Sequence, residues 1–257
     1  MKNDIAFTVF GRHALFSDPV TRVGGEKCSY HVPTYEALKG IAKSIYWKPT
    51  FLWVIEKVRV MKTFRTQSKG VKPLKMSGGN DLSIYTYLVD VEYQISAHFE
   101  WNLHRPELAA DRIDGKHYEI ARRMLERGGR QDIFLGTREC QGYVEPCRFG
   151  QGKGDYDNVD ELDFGLMFHG FDYPDETGDN LFQARFWRPV MRHGIIEFPA
   201  PDDASLLRKP IRPMIAKNFA LGRNFEGGNE AELARLLAEP DSVPYPDARD
   251  LLREESQ

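Results

Sequence analysis

The sequence predicts an α+β chain. A ferredoxin-like (RRM-like) N-terminal domain, residues 1–135, is followed by a small antiparallel β-sheet domain, residues 136–225. An acidic, partly disordered tail, residues 226–257, completes it. Three observations predict this. Patterns in the first half run strand, helix, strand, strand, helix, strand, an order that lays two helices on one face of an antiparallel sheet. Helical periodicity then gives way to short apolar runs punctuated by Gly and Pro. The final stretch, PDSVPYPDARDLLREESQ, is rich in Pro and acids.

Each element has its local reason. Residues 5–10, Ile-Ala-Phe-Thr-Val-Phe, are β-prone and stop at Gly11. Pro33 opens the first helix, where its missing N–H does no harm. Tyr35, Leu38, Ile41, Ala42 and Ile45 recur at helical spacing, and Pro49 ends the stretch. Residues 51–67 read as one long strand, with Val54, Val58 and Val60 on one face and Lys57, Arg59 and Met61 on the other. The lysine-rich stretch 68–81 reads as a mobile basic hairpin or loop. Residues 89–101 alternate most clearly: Val89, Val91, Tyr93, Ile95, Ala97, Phe99 and Trp101 share one face. Asp114 is the expected N-cap of a second helix over 115–127, which Gly128-Gly129 stops. Residues 143–149, 162–168, 181–187 and 195–198 look like short strands, and 231–237 like a short helix.

Composition bounds the class. The 257 residues are 41% hydrophobic and 28% charged, with a mean hydropathy of −0.50, the balance of a soluble globular chain. No apolar run approaches the ~18 residues of a membrane span, and the start MKNDIAFTVFGRH lacks the order of a secretory signal. Cys28, Cys140 and Cys147 are an odd set without a C-x-x-C pair, so neither a disulfide framework nor a cysteine zinc site is expected. A cytoplasmic protein with no membrane partner fits. The net charge of −3 hides a split, for residues 1–80 hold 14 Lys and Arg against 5 Asp and Glu. That suggests a polyanion-binding face, although an unevenly charged solvated surface fits as well.

Most chemical motifs are absent. The seven histidines show neither H-x-x-x-H nor H-E-x-x-H spacing, so no histidine metal site is expected. Asp155, Asp157, Asp160, Glu161 and Asp163 do not follow the calcium-loop pattern. The glycine runs at 150–154 and 222–228 read as a connector and a turn, and no cofactor is expected. Lys116-His117 is different. A helix start offers unpaired N–H groups that attract anions, and an imidazole there can take or give a proton near neutral pH. Tyr46, at the far end of the first helix, could add a hydrogen bond or proton near the same polyanion. The plainer roles are a boundary aromatic for Tyr46 and a solvated helix start for Lys116-His117.

Three stretches, read together, carry a family likeness. HVPTYEALKGIAKSIYWKP (31–49), GKHYEIARRMLERG (115–128) and FLGTRECQGYVEP (134–146) resemble the CRISPR-associated family five of the RAMP superfamily, most nearly its subtype I-C (Dvulg) branch. The likeness extends over residues 1–225. It implies an endoribonuclease that cuts precursor CRISPR RNA in the repeat, near the base of its stem-loop, without a metal ion. The products would carry 2′,3′-cyclic phosphate and 5′-OH ends. The protein would then stay with the other subunits of the type I-C surveillance complex, holding the 5′ handle. The family's catalytic tyrosine falls on Tyr46, and its lysine–histidine pair on Lys116 and His117. Where members often show an LGRRE-like motif, this chain reads Leu135-Gly136-Thr137-Arg138-Glu139, which leaves Arg138 as the phosphate contact.

The repeat hairpin is then the expected ligand of the basic first third. Arg59, Arg65, Lys69, Lys72 and Lys75 would grip its phosphates by shape, with Arg22 and Lys27 as weaker candidates. Two other readings compete. One is a handle-binding structural subunit that does not cut. The other is a metal-dependent DNA nuclease built on the acidic stretch 155–163.

Overall fold

Apolar alternation builds the first strand of the computed structural model, which describes residues 3–75 and 78–216. In β1 (Ile5–Ala14), Ile5, Phe7 and Val9 are buried while Ala6, Thr8 and Phe10 are half-buried. The turn expected at 222–228, the helix at 231–237 and the acidic tail lie outside the described residues.

α1 (Tyr35–Ile45) buries the predicted stripe of Tyr35, Leu38, Ile41, Ala42 and Ile45. Its cap is Thr34, whose hydroxyl accepts from the Ala37 N–H at 3.2 Å, and Pro33 lies just ahead of it. β2 (Phe51–Val60) stops well short of residue 67. A separate strand, β3 (Thr66–Val71), pairs with the first half of β4 (Ser83–Trp101). β2 also changes phase. A bulge between Ile55 and Lys57 puts Phe51, Trp53 and Ile55 on the core side before it, and Val58 and Val60 there after it. One inserted residue reverses the pleat, so Val54 does not share a face with Val58 and Val60. β4 follows its pattern, burying Val91, Tyr93, Ile95, Ala97 and Phe99.

α2 (Lys116–Glu126) begins one residue later than expected. Its N-cap is Gly115 at φ 75°, not Asp114, a left-handed conformation that only glycine adopts freely. The helix buries His117, Ala121 and Leu125 against the sheet. β5 (Ile133–Phe134) and β6 (Gln141–Pro146) flank the Leu135–Glu139 turn. Gly136, at φ 96°, lies so close to β1's end that a Cβ would sit 2.0 Å from the Leu15 carbonyl oxygen. A glycine is required there.

The remaining elements are short: β7 (Leu162–Asp163), β8 (Met167–Asp172), α3 (Pro174–Thr177), β9 (Leu181–Trp187), β10 (Val190–Arg192), β11 (Ile195–Glu197) and β12 (Leu207–Pro213). Two sheets result. The larger runs β5-β6-β1-β4-β2-β11-β10-β7, with β3 on β4, and the smaller runs β12-β9-β8. Every pairing between named strands is antiparallel. The described chain is thus a mixed α/β fold, mostly antiparallel sheet. Among the described residues no helix is long and apolar enough to cross a membrane.

Candidate active site

The end of α1 and the start of α2 meet at one corner. Tyr46 leaves the helix in extended conformation, and its carbonyl accepts from Trp53 Nε1 at 2.8 Å. That contact fixes the backbone and aims the ring at α2. The phenol oxygen lies 2.9 Å from His117 Nδ1, with the two rings stacked at 27°. Phe51 and Trp101 close around the imidazole, their ring centroids 5.3 and 5.6 Å from its own. His117 Nε2 lies 2.8 Å from the main-chain oxygen of Asp111. A carbonyl only accepts, so Nε2 carries the proton. In the neutral ring Nδ1 is therefore the acceptor of the Tyr46 hydroxyl.

Asp111 ends a 3-10 turn, Pro106–Asp111, in which no residue is buried. One carboxylate oxygen pairs with Lys116 Nζ. The other accepts from Thr50 Oγ1 at 2.7 Å and lies 3.4 Å from His117 Nε2. Burial pushes the Asp111 carboxyl up. Hydrogen bonds from Lys116 and Thr50, with the charges of His117 and Lys116, outweigh it and leave the group below its ordinary value. Burial raises the Tyr46 phenol, the Asp111 charge adds to this, and Arg130 opposes it. Tyr46 and His117 are only 2% and 1% exposed, whereas the side chains of Lys116 and Asp111 are 40% and 31% exposed. Solvent reaches the corner along the Lys116–Asp111 edge. A phenol bonded to an imidazole beside an ammonium can pass a proton and neutralise an anion, the two tasks of acid–base phosphoryl chemistry.

The other sequence-predicted cations have several fates. Arg59 is buried, and its five N–H donors go to Asp157, Gln94 and the carbonyls of Gln151 and Gly152. It holds the loop before β7 and has no face to offer a phosphate. Arg65 is 61% exposed and pairs with Asp90. Lys69 reaches His13 Nε2 at 2.8 Å and lies over the Tyr87 ring. Lys27 lies 4.9 Å over the Tyr85 ring. Lys75 pairs with Asp81 at 3.4 Å. Arg22, Lys72 and Arg138 are exposed. Tyr46, Lys116 and His117 converge, while these cations are spread over β2, β3 and several connecting segments.

The acidic stretch also has structural partners. Asp155 accepts from the Thr63 N–H and hydroxyl, both at 2.8 Å. Asp157 pairs with Arg59, and Glu161 with Arg192. Sequence reading passed over Asp111 and Thr50, which no motif marks. Asp111 stands five residues before the Lys116-His117 pair, but Asp114 lies between them, so spacing alone does not single it out.

The family model described as CRISPR-associated protein (Cas_Cas5), of the Cas5d type, matches residues 4–199. Two curated relatives carry the name CRISPR pre-crRNA endoribonuclease Cas5d. The one from Mannheimia succiniciproducens is 28% identical, over 77% of this chain and 96% of its own. The one from Thermus thermophilus is 30% identical, over 78% and 93%. A crystal structure of a CRISPR-associated protein superposes with a TM-score of 0.67 at 36% identity, covering 79% of this chain and 96% of that one. A functionally uncharacterized protein from Streptococcus mutans gives a TM-score of 0.64 at 39% identity, over 76% and 92%. The chain belongs to the CRISPR-associated Cas5 family, in the Cas5d branch of type I-C systems.

Proposed function

We propose that this chain is a metal-independent endoribonuclease that cuts precursor CRISPR RNA within the repeat, near the base of the stem-loop. The observation that carries the reading is the 2.9 Å Tyr46–His117 hydrogen bond with Lys116 alongside. The names of the two curated relatives point the same way. RNA brings its own nucleophile, the 2′-OH beside the scissile phosphate. General acid, general base and charge stabilisation are then all the protein must add. His117 takes the 2′-OH proton or protonates the 5′-oxygen, and Tyr46 is the complementary group. Lys116 neutralises the phosphorane. The 2′-O–P bond forms, the P–5′-O bond breaks, and the ends are a 2′,3′-cyclic phosphate and a 5′-OH.

The same reading makes β1, α1, β2, β4, α2 and β6 a ferredoxin-like core, supported by the strand order β6-β1-β4-β2. It extends the first domain to residue 146 and leaves the three-stranded sheet to the smaller one. Arg22, Lys27, Arg65, Lys69, Lys72, Lys75 and Arg138 would contact the repeat hairpin. The protein would remain on the 5′ handle among the type I-C subunits. A cytoplasmic location fits the three free thiols of Cys28, Cys140 and Cys147. The burial of Tyr46 and His117 favours one competing reading, a handle-binding subunit that does not cut.

Single-turnover cleavage of the repeat hairpin in excess EDTA tests the proposal. Cutting should persist in EDTA, stop with a 2′-deoxy residue at the cut, and leave cyclic phosphate ends. Loss of cutting in EDTA, or cutting of the deoxy substrate, overturns the mechanism. Failure of the wild type to cut favours the handle-binding subunit.

A further inference from the structure

Three hydrogen-bond donors of the corner converge on one residue, Thr50 and Lys116 on the Asp111 carboxylate and the His117 N–H on the Asp111 main-chain oxygen. Thr50 Oγ1 donates to Asp111 Oδ2, Lys116 Nζ meets Oδ1, and His117 Nε2 lies 3.4 Å from Oδ2. Thr50 and His117 are buried, so without an acceptor their N–H and O–H groups would be unsatisfied. Asp111 is placed differently, on a turn with no buried residue and with its own side chain 31% exposed. Chemically, a carboxylate presents two oxygens sharing one negative charge, as do the non-bridging oxygens of a phosphodiester. The donors that hold Asp111 include the two groups that the proposed reaction assigns to the phosphate and its neighbouring ribose.

We infer that Asp111 occupies, in the RNA-free protein, the seat of the scissile phosphate, and that Thr50 is a further phosphate-binding residue of this site. This rests on the functional reading above and adds to it. RNA then enters by exchange. The Asp111 carboxylate and its main-chain oxygen leave, and the Lys116 ammonium, the His117 N–H and the Thr50 hydroxyl pass to the RNA. The exchange accounts for an acid–base pair that is nearly inaccessible in the free protein. It also means that binding competes with an internal anion, which lowers apparent affinity.

Binding of a repeat hairpin with a 2′-deoxy residue at the cut tests the exchange without cleavage. At physiological salt, Asp111→Ala should bind this RNA about fivefold more tightly than wild type. Asp114→Asn removes the same charge from an exposed side chain three residues away, and should change affinity less than about twofold. Thr50→Val placed in the Asp111→Ala protein should return at least half of the gain. If Asp111→Ala does not fold, Asp111→Asn removes the charge while keeping the shape, and should also bind more tightly. Weaker or unchanged binding by the Asp111 variant overturns the inference, as does equal tightening by Asp114→Asn or no effect of Thr50→Val. Because the RNA is uncleavable, these outcomes are separate from the catalytic reading, which is tested by cleavage of normal repeat RNA in EDTA and by His117→Ala.

Discussion

At the Tyr46–His117 corner every polar group named has a partner elsewhere in the chain, and two aromatic rings, Phe51 and Trp101, close over the imidazole and phenol. Along the β3–β4 hairpin the charged groups stand at the surface. Leu74 is 85% exposed, Lys72 faces water, and the one Lys75 ion pair is between half-exposed groups. The first region fixes atoms to within a hydrogen-bond length, which chemistry requires. The second displays charge from exposed side chains on a paired hairpin, an arrangement suited to reading a phosphate lattice by shape. The contrast separates turnover from affinity, so mutations in the two regions should affect different measurements.

The largest effect belongs to the corner. His117→Ala should lower the single-turnover cleavage constant by about a thousandfold, and Tyr46→Phe by about a hundredfold, within the usual range for acid–base groups. Repeat-RNA affinity should stay within about threefold of wild type in both. A Tyr46→Phe protein that cuts at the wild-type rate would reduce the phenol to a packing residue.

A second test contrasts two arginines six residues apart. Arg59→Ala removes the buried cation that pairs with Asp157 and bonds Gln94 and the Gln151 and Gly152 carbonyls, and should cost about 2–4 kcal/mol in urea unfolding. Its effect on the salt dependence of RNA binding should be nil. Arg65→Ala, from a 61% exposed side chain, should change stability by less than about 0.5 kcal/mol and weaken RNA binding instead. If both mutants behave alike, the division between structural and ligand-facing cations is wrong.

The packed side of the comparison also predicts a pH effect. His169 is fully buried, stacked on Tyr35 at 4.3 Å, with Nδ1 unpartnered. Burial pushes its imidazole down to about 3, and the charges of Arg185, Lys39 and Arg208 add to this against the Pro199 carbonyl. The unfolded chain takes up that proton near pH 6.5, the ordinary histidine value. Between about 6.5 and 3 the unfolded state therefore binds more protons. Stability is fully present above that window and falls as pH drops through it, by at most ~1.4 kcal/mol per pH unit. Urea titrations at pH 7.5, 6.0 and 5.0 should show a shallower loss for His169→Phe than for wild type. Equal slopes would mean that the ring is already protonated in the fold.

Much of this architecture was legible because one-sided burial writes a period into the chain. The α1 stripe and the β4 alternation are of that kind. The β2 phase was not, since the bulge after Ile55 leaves no mark in a run as apolar as FLWVI. Helix starts slipped by a residue or two because Thr34 and Gly115 compete with Pro33 and Asp114 for the same role. Periodicity alone left Tyr46 a boundary aromatic and Lys116-His117 a solvated helix start. The family likeness singled them out, and tertiary packing brings them together across 71 positions. The role of Arg59 depends on Asp157, 98 positions away, and no local pattern could separate it from Arg65. Asp111 and Thr50 acquire meaning only from each other and from α2.

The smallest expected effect lies on the exposed side. Each lysine lost from a phosphate contact lowers the slope of log affinity against log salt by about 0.7–0.9. The Lys72→Ala, Lys75→Ala double mutant should therefore lose between about one and two units of slope. Affinity at physiological salt should fall only about fivefold, because the two side chains are solvated and Lys75 already shares its charge with Asp81. Thermal stability and the cleavage constant at saturating RNA should not move, since neither lysine touches the Tyr46–His117 corner. A slope equal to wild type would take this hairpin off the RNA. A fall in the saturated cleavage constant would mean that the hairpin helps to place the scissile phosphate, and the separation of affinity from turnover would fail at its exposed end.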